Sequence, residues 1–414
     1  MPDCRLLLLL PAFLLLSSCA PQPQAAIDPQ LAGEIAGIKA IDNHAHPVLA
    51  AEGDREFDAL PVDNMEPQSD PVSLRPGAFH TPFTAASKAA AKKQHGDRYP
   101  VWVLDQIGVD VMLANRVAMG ASIQPPRFRW VPYADALIFP LDNSLLAAKN
   151  SDRKAFFALE DKLRARYLTE SGLQAPPPAL AEYLARVVTP TLERHKQGGA
   201  IAEKFEAAYL RSLSFDSVDA AQADRVYRQR TPSAADYKLL QDYLFRYIAA
   251  ECGRLGMAVH LHTMAGAGSY FDIAGANPLN LESLYNDPAL RKTNIVMVHG
   301  GWPFTREINA MLQKPNAYLD FSGQSLLLSP ATLGVTIREW LEHVPEKVMF
   351  ATDAYPYSAE FGWEEGGWVG AARGREALGR ALTAMLRDGE ITHQRAVELA
   401  RMVLRDNARK LYGI

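Results

Sequence analysis

The stretch "AIDNHAHP", residues 40 to 47, sets His44 and His46 one residue apart, directly after an apolar run. Alternate residues of a β-strand face the same side, so both imidazoles are expected to point to one place at a strand end. The same kind of ending recurs along the chain. His260 and His262 lie in "AVHLHTMAG", His299 in "IVMVHGGWPF", Asp353 in "VMFATDAYPY" and Lys204 in "AIAEKFEAAY". Five of the ten histidines, with an aspartate and a lysine, thus fall at the ends of apolar runs. Burying that many polar rings without a shared partner is expensive. A divalent metal supplies the partner. Neutral imidazole and carboxylate suit zinc, and also iron, manganese or nickel, so residue type leaves the metal's identity open. The chemistry such a site performs is attack by a metal-acidified water on a polarised carbonyl, with Asp353 taking the water proton and returning it to the leaving group.

Positioning these groups requires a scaffold whose strand ends converge. Eight segments read as strands: 38–46, 109–117, 130–139, 200–205, 257–263, 294–300, 317–322 and 348–353. Amphipathic stretches separate most of them, including 234–255, 279–291, 304–313 and 330–344. Strand and helix alternating eight times predict an α/β fold, a (β/α)8 TIM-type barrel. No Gly-rich phosphate loop follows the first strand, which argues against a doubly wound open sheet. In the first, fifth, sixth and eighth strands, alternation predicts that Val259, Leu261, Val296, Val298 and Phe350 face the helical shell. Two long excursions, 48–99 and 141–198, leave from C-terminal strand ends, where barrels carry their active sites. They are expected to form helical insertions over that face.

The constellation of His-x-His at strand one, lysine at four, histidine at five and six and aspartate at eight resembles the amidohydrolase superfamily of metal-dependent barrels. "IDNHAHP", "HTMAGAG", "VHGGWPF" and the C-terminal "GEITHQRAVELARMVLRDNARKLYGI" are similar, more narrowly, to its amidohydrolase-related (amidohydrolase 2) branch. That branch includes aminocarboxymuconate-semialdehyde decarboxylase, lactonases and the amidohydrolase-like domain fused to glutamine synthetase-like domains. The resemblance runs from residue 38 to 414. It implies that His44, His46 and Asp353 hold the more buried metal and that His262 is the fifth-strand ligand. His260 lies deeper, behind a ligand or against the substrate. His299 matches a ligand of the second metal in two-metal members and a catalytic group in one-metal members. Lys204 matches the lysine that is carbamylated and bridges two metals; its other reading is a charged group at the rim. One or two ions, most readily zinc, therefore stay open.

Weaker candidates surround this set. Arg211 suits a substrate carboxylate, or else an ion pair at the surface. Tyr209 is of the same kind. Asp320 is placed to orient a ligand histidine. Trp302, Trp363 and Trp368 line the mouth or pack. The function expected is hydrolysis of a small-molecule amide, ester or lactone. The alternative is a non-oxidative decarboxylase on the same scaffold, using one metal, His299 and an arginine. A non-enzymatic solute-binding lipoprotein comes third, since the intact ligand set argues against it.

The remaining features set the context. The 414 residues are 48% hydrophobic with a formal net charge of −4, globular composition without the basic block that nucleic acid would call for. An apolar run from Leu6 to Leu16, too short to span a bilayer, reads as an export signal. It ends in Leu16-Ser17-Ser18-Cys19, which resembles the lipobox of bacterial lipoproteins. The expected division is a signal peptide over 1–18, a tether over 19–36 and the barrel over 37–414. Lipid on Cys19 would hold the protein on a cell-envelope membrane, the periplasmic face of the outer membrane in a Gram-negative cell. Of three cysteines only Cys252 then remains free, so no intramolecular disulfide is available. The expected partners are a small-molecule substrate and that membrane, with homo-oligomer formation left open.

Overall fold

A computed structural model describes residues 26–50, 80–357 and 361–414. Its strands are β1 (Ala40–Ala45), β2 (Val109–Asn115), β3 (Phe128–Val131), β4 (Ala202–Phe205), β5 (Ala258–His262), β6 (Ile295–Val298), β7 (Ala317–Asp320) and β8 (Val348–Met349). They pair in parallel as two runs, β1-β2-β3 and β4 through β8. Two seams join the runs. Trp130 bridges to Ala200 and Tyr133 to Lys204 between β3 and β4, and Ala45 bridges to Ala354 between β1 and the exit of β8. At this second seam the Asp353 amide donates to the His44 carbonyl at 2.9 Å, and the His46 amide to that of Ala354 at 2.7 Å. The circle closes as an α/β barrel, as the strand–helix alternation predicts.

Buried Asp42 staples the same seam. Its two oxygens accept from the Thr352 amide at 2.9 Å and the Thr352 hydroxyl at 2.5 Å. Burial pushes this carboxyl up to about 7 against those hydrogen bonds. The seam thereby places His44, His46 and Asp353 side by side.

The barrel interior is a cluster of Ile41, Leu113, Val131, Ala202, Ala258, Val296, Val298 and Met349, packed at its lower end by Ala408, Leu411 and Tyr412. Val259, Leu261 and Phe350 belong to the outer core beneath the helices, as expected. Val296 and Val298 do not: they face inward. β6 stops at Val298, and His299 turns away from the strand with φ 71°, so alternation counted back from His299 assigns the wrong face.

Several boundaries differ from expectation for local reasons. The third strand ends at Val131 because Pro132 has no amide to give the ladder, and the chain then coils into the helix Asp135–Ile138. Residues 279–291 form short turns, Pro278–Leu281, Glu282–Tyr285 and Pro288–Leu290, each proline restarting the chain. By contrast Ala234–Leu255 is one helix, capped by the Ser233 hydroxyl on the Asp236 amide and stopped by Gly256 at φ 66°. The C-terminal part of the expected tether, 19–36, is helical. Asp28 caps a helix, Pro29–Gly37, that buries Leu31 and Ile35. Cys19 and the signal segment lie outside the described residues, as does 51–79 of the first excursion. The second excursion is helical, with Ser151–Glu170 its longest element. It is fastened over the C-terminal side of β3 by Tyr167 Oη on the Tyr133 carbonyl at 2.5 Å and Tyr183 Oη on that of Leu137 at 3.0 Å. Among the described residues no helix is long and apolar enough to cross a membrane.

Candidate metal centre

His44 and His46 are buried at the end of β1. Their Nε2 atoms lie 3.1 Å apart. Asp353 Oδ1 sits 3.3 Å from His44 Nε2 and 3.5 Å from His46 Nε2. Among the described residues this is the one group of three or more ligand-type side chains whose donor atoms fall within 4.8 Å of one another. Two nitrogens and a carboxylate oxygen at this spacing need a proton or a cation between them. The donor set and its burial fit a divalent ion bound by neutral histidine and carboxylate.

The surroundings prepare these atoms for that task. His46 Nδ1 lies 2.8 Å from Tyr133 Oη, and the same hydroxyl reaches the Asn115 carbonyl at 3.2 Å. With the hydroxyl proton on that carbonyl, His46 donates from Nδ1 and its Nε2 is left to ligate. Burial first, then the charges of Lys204 and His46, hold His44 well below its ordinary pKa, which keeps the ring neutral. Asp353 ionises more readily than usual, at about 2; burial opposes this, and His299, His46 and Lys204 outweigh it. Among the described residues only Arg230, His299 and Asp353 have positive φ without being glycine. Two of the three are in this site, where the left-handed turn aims a side chain that a continuing strand would turn elsewhere.

The other expected residues fall around the three. The His299 ring centroid is 4.9 Å from that of His44 and 4.5 Å from that of His262. His299 Nδ1 stands 3.9 Å from Asp353 Oδ2. His262 gives its Nε2 proton to the Met264 carbonyl at 2.8 Å, and its Nδ1 lies 3.4 Å from Glu206 Oε2. The nitrogen it has left is turned to Glu206. Lys204 is buried, with Nζ 2.6 Å from Glu206 Oε1. Carbamylation consumes the neutral amine; here that amine is a charge-assisted donor to a carboxylate. Burial opposes ionisation of Glu206, but Lys204 and His262 hold its carboxyl well below the usual range.

Arg211 and His260, expected against the substrate, both make internal contacts. Arg211 is buried rather than at the surface. Its guanidinium pairs with buried Asp242, bonds Gln241 Oε1 at 3.0 Å and the Ser214 carbonyl at 2.7 Å, and covers the Phe215 ring at 4.4 Å. Asp242 and Gln241 face inward on Ala234–Leu255 and take up its donors. His260 sits lower in the barrel, bonded through Nε2 to Tyr412 Oη at 2.7 Å. Asp320 does support a histidine: Oδ1 accepts from the His299 amide at 3.1 Å. Tyr209 lies over His262 at 4.7 Å and against Phe271 at 5.2 Å, and Tyr355 meets the His46 ring at 5.2 Å. Trp363 is core, while Trp368 packs on Phe83.

The sequence reading missed Glu206, Asn115 and Tyr133. Glu206 follows Lys204 by two residues, so strand alternation carried the signal. Asn115 is the polar end of the apolar strand "VMLAN", the same signal that marked the histidines.

An eight-stranded barrel with a His-x-His and aspartate cluster at its C-terminal end defines a metal-dependent hydrolase-type barrel. The amidohydrolase family model matches residues 173–414, and the chain belongs to that family. His262, His299, Lys204 and Asp353 lie within the matched region; His44 and His46 precede it. Over 191 residues, 44% of the chain, it is 28% identical to protein fluG of Emericella nidulans, and the match spans only 21% of that protein's length. Among solved structures it is similar to a protein of Lactobacillus casei ATCC 334 assigned to the metal-dependent hydrolases, with TM-score 0.63, 15% identity and coverage of 92% of this chain and 97% of the other. Glucuronate isomerase of Caulobacter crescentus is similar at TM-score 0.59 and 11% identity, covering 93% of each chain. At these identities the structural likenesses establish the shared fold.

Proposed function

We propose that this chain hydrolyses a small-molecule amide, ester or lactone with one divalent ion, zinc being well suited to the donors. The carrying observation is the convergence of His44 Nε2, His46 Nε2 and Asp353 Oδ1, with Asp353 Oδ2 turned toward His299. A divalent ion held there supplies an acidified water and a charge that polarises a carbonyl. The chain's own groups do the rest. Asp353 is ionised at neutral pH and takes a proton on Oδ2, then returns it to the leaving group. His299 borders that carboxylate, with Nδ1 3.9 Å from Oδ2, as the second polar group of the site. Tyr209, Phe271 and Tyr355 flank the histidines with apolar faces that exclude bulk water from the reacting carbonyl. The engagement of Arg211 by Asp242 takes one candidate carboxylate anchor away from the decarboxylase alternative.

The test is a screen of metal-loaded protein over dipeptides, N-acyl amino acids, lactones and aromatic acids, repeated with Asp353→Asn. The variant should keep most of its metal and lose activity by at least about a hundredfold. Near-normal turnover in a metal-loaded variant excludes Asp353 as the proton carrier; release of carbon dioxide would move the reading to the lyase. We further infer that the working form is a lipoprotein beginning at Cys19. Cys19→Ser should release soluble protein or leave the precursor uncleaved. Unchanged fractionation and processing would contradict that inference.

A further inference from the structure

Below the candidate metal centre the barrel holds a continuous line of polar groups, most of them fully buried. His260 Nε2 lies 2.7 Å from Tyr412 Oη, and Tyr412 Oη lies 2.6 Å from Asn43 Oδ1. Asn43 Nδ2 lies 2.7 Å from Asp320 Oδ2. Asp320 Oδ1 lies 2.5 Å from Ser322 Oγ, and Ser322 Oγ lies 2.8 Å from His299 Nδ1. We propose that this chain of hydrogen bonds, from the C-terminal helix to the site, fixes the ring proton of His299 on Nδ1, and that Tyr412 and Asn43 are positioning residues for His299.

Counting donors and acceptors gives the direction. Asp320 receives four donors: Asn43 Nδ2, the His299 amide, the Ser322 amide and the Ser322 hydroxyl. A carboxylate with two oxygens is the group that satisfies four donors at once. The Ser322 hydroxyl has a single proton, and the 2.5 Å contact commits it to Asp320. Ser322 Oγ then offers His299 only lone pairs. His299 Nδ1 must be the donor in that 2.8 Å contact, and the lone pair of the ring is left on Nε2.

The lower half of the chain follows the same logic. Asn43 turns its amide nitrogen to Asp320, so its oxygen faces down and accepts the Tyr412 proton. Tyr412 has no second proton, so His260 donates from Nε2. That leaves His260 Nδ1 as a bare acceptor, and it is indeed buried without a partner. An orphan lone pair costs less than an orphan N–H, which is a further reason for this tautomer. Tyr412 belongs to the helix Asn407–Tyr412, which packs against the lower end of the barrel interior. The last turn of the chain is in this way connected to the active-site end through the barrel interior rather than around its outside.

The inference rests on His299 being a working group of the proposed site, but its test needs no turnover. Histidine tautomers are read from two-bond proton–nitrogen spectra of the metal-free, nitrogen-15-labelled protein near pH 8, with His299→Gln supplying the assignment. His299 is expected as the Nδ1–H tautomer and His260 as Nε2–H. Ser322→Ala should convert His299 to a mixture or to Nε2–H, and Ser322→Thr, which keeps the hydroxyl, should retain the original signal. Asn43→Leu and Tyr412→Phe should shift His299 in the same sense from a distance. An Nε2–H signal for His299 in the unmodified protein overturns the proposal without any variant having to fold. An unchanged His299 signal in folded Asn43→Leu and Tyr412→Phe overturns the positioning role of those two residues. Failure of the hydrolase screen, with the tautomers as expected, would overturn the reaction and leave this arrangement standing.

Discussion

Asn115 Nδ2 lies 2.9 Å from His44 Nδ1, while Asn115 Oδ1 is buried without a partner. In this orientation the amide donates to His44, which places the His44 proton on Nε2, the nitrogen that faces His46 and Asp353. A metal on Nε2 displaces that proton and calls for an acceptor at Nδ1. Turning the amide over offers the orphaned oxygen, at the cost of the 3.1 Å bond from Nδ2 to the Ala45 carbonyl. Asn115 is therefore suited to both states of His44.

Replacing Asn115 with leucine removes both options. Groups that orient a ligand histidine typically contribute about 10- to 100-fold in metal affinity. We expect Asn115→Leu to weaken zinc binding by about that factor, and Asn115→Asp, which keeps an acceptor, to weaken it less. Competition with a chromogenic chelator reads this. Equal affinities for Asn115→Leu and the unmodified chain would sink the role assigned here.

Gly323 has φ 69°, and a Cβ built there would lie 2.9 Å from Met264 Cε and 3.3 Å from both Asp353 Oδ2 and His299 Nδ1. Alanine is strained at this φ and presses on two site residues. Gly323→Ala should lower stability by about 1 kcal/mol or more and displace Asp353 from the histidines. A urea midpoint and a metal affinity both matching the unmodified chain would show that the loop yields freely.

These features explain what could be read from the sequence. His44, His46 and Asp353 were legible because each closes an apolar run, and a barrel gathers its strand ends. Eight strands and the long helix at Ala234–Leu255 were legible from alternation and amphipathic spacing. The inward face of Val296 and Val298 was not, because His299 leaves the strand in a left-handed turn at φ 71°, followed by Gly300 at φ 58°, which periodicity does not display. A Cβ on Gly300 would stand 2.6 Å from Gln324 Nε2, a contact no sequence pattern displays. The fate of Arg211 was likewise hidden. Whether a guanidinium meets substrate or Asp242 depends on how Ala234–Leu255 is rotated against the loop after β4.

A pH dependence follows from two buried carboxyls beside Glu206. Burial, and secondarily the Glu206 charge, pushes Asp135 up to about 8. Burial, then Asp135 and Glu206, raises Glu160 well above its ordinary value, and both Glu160 oxygens lack partners. Unfolded, these groups titrate near 4, roughly. The folded state thus holds more protons over this interval, and stability falls as pH rises from about 4 to about 8. Glu160→Gln removes one of these titrations, so the decline in urea midpoint between pH 5 and pH 8 should become shallower. An identical decline in both proteins would contradict the assignment.

The central claim is that His44, His46 and Asp353 hold one functional ion. Elemental analysis after equilibrium dialysis against zinc measures it directly, on the unmodified chain and on the double variant His44→Ala/His46→Ala, each checked for folding by circular dichroism. The account predicts about one zinc per chain in the first and under about a tenth in the second, since neutral histidine and carboxylate must converge to hold it. Full retention of zinc by the folded double variant would contradict it.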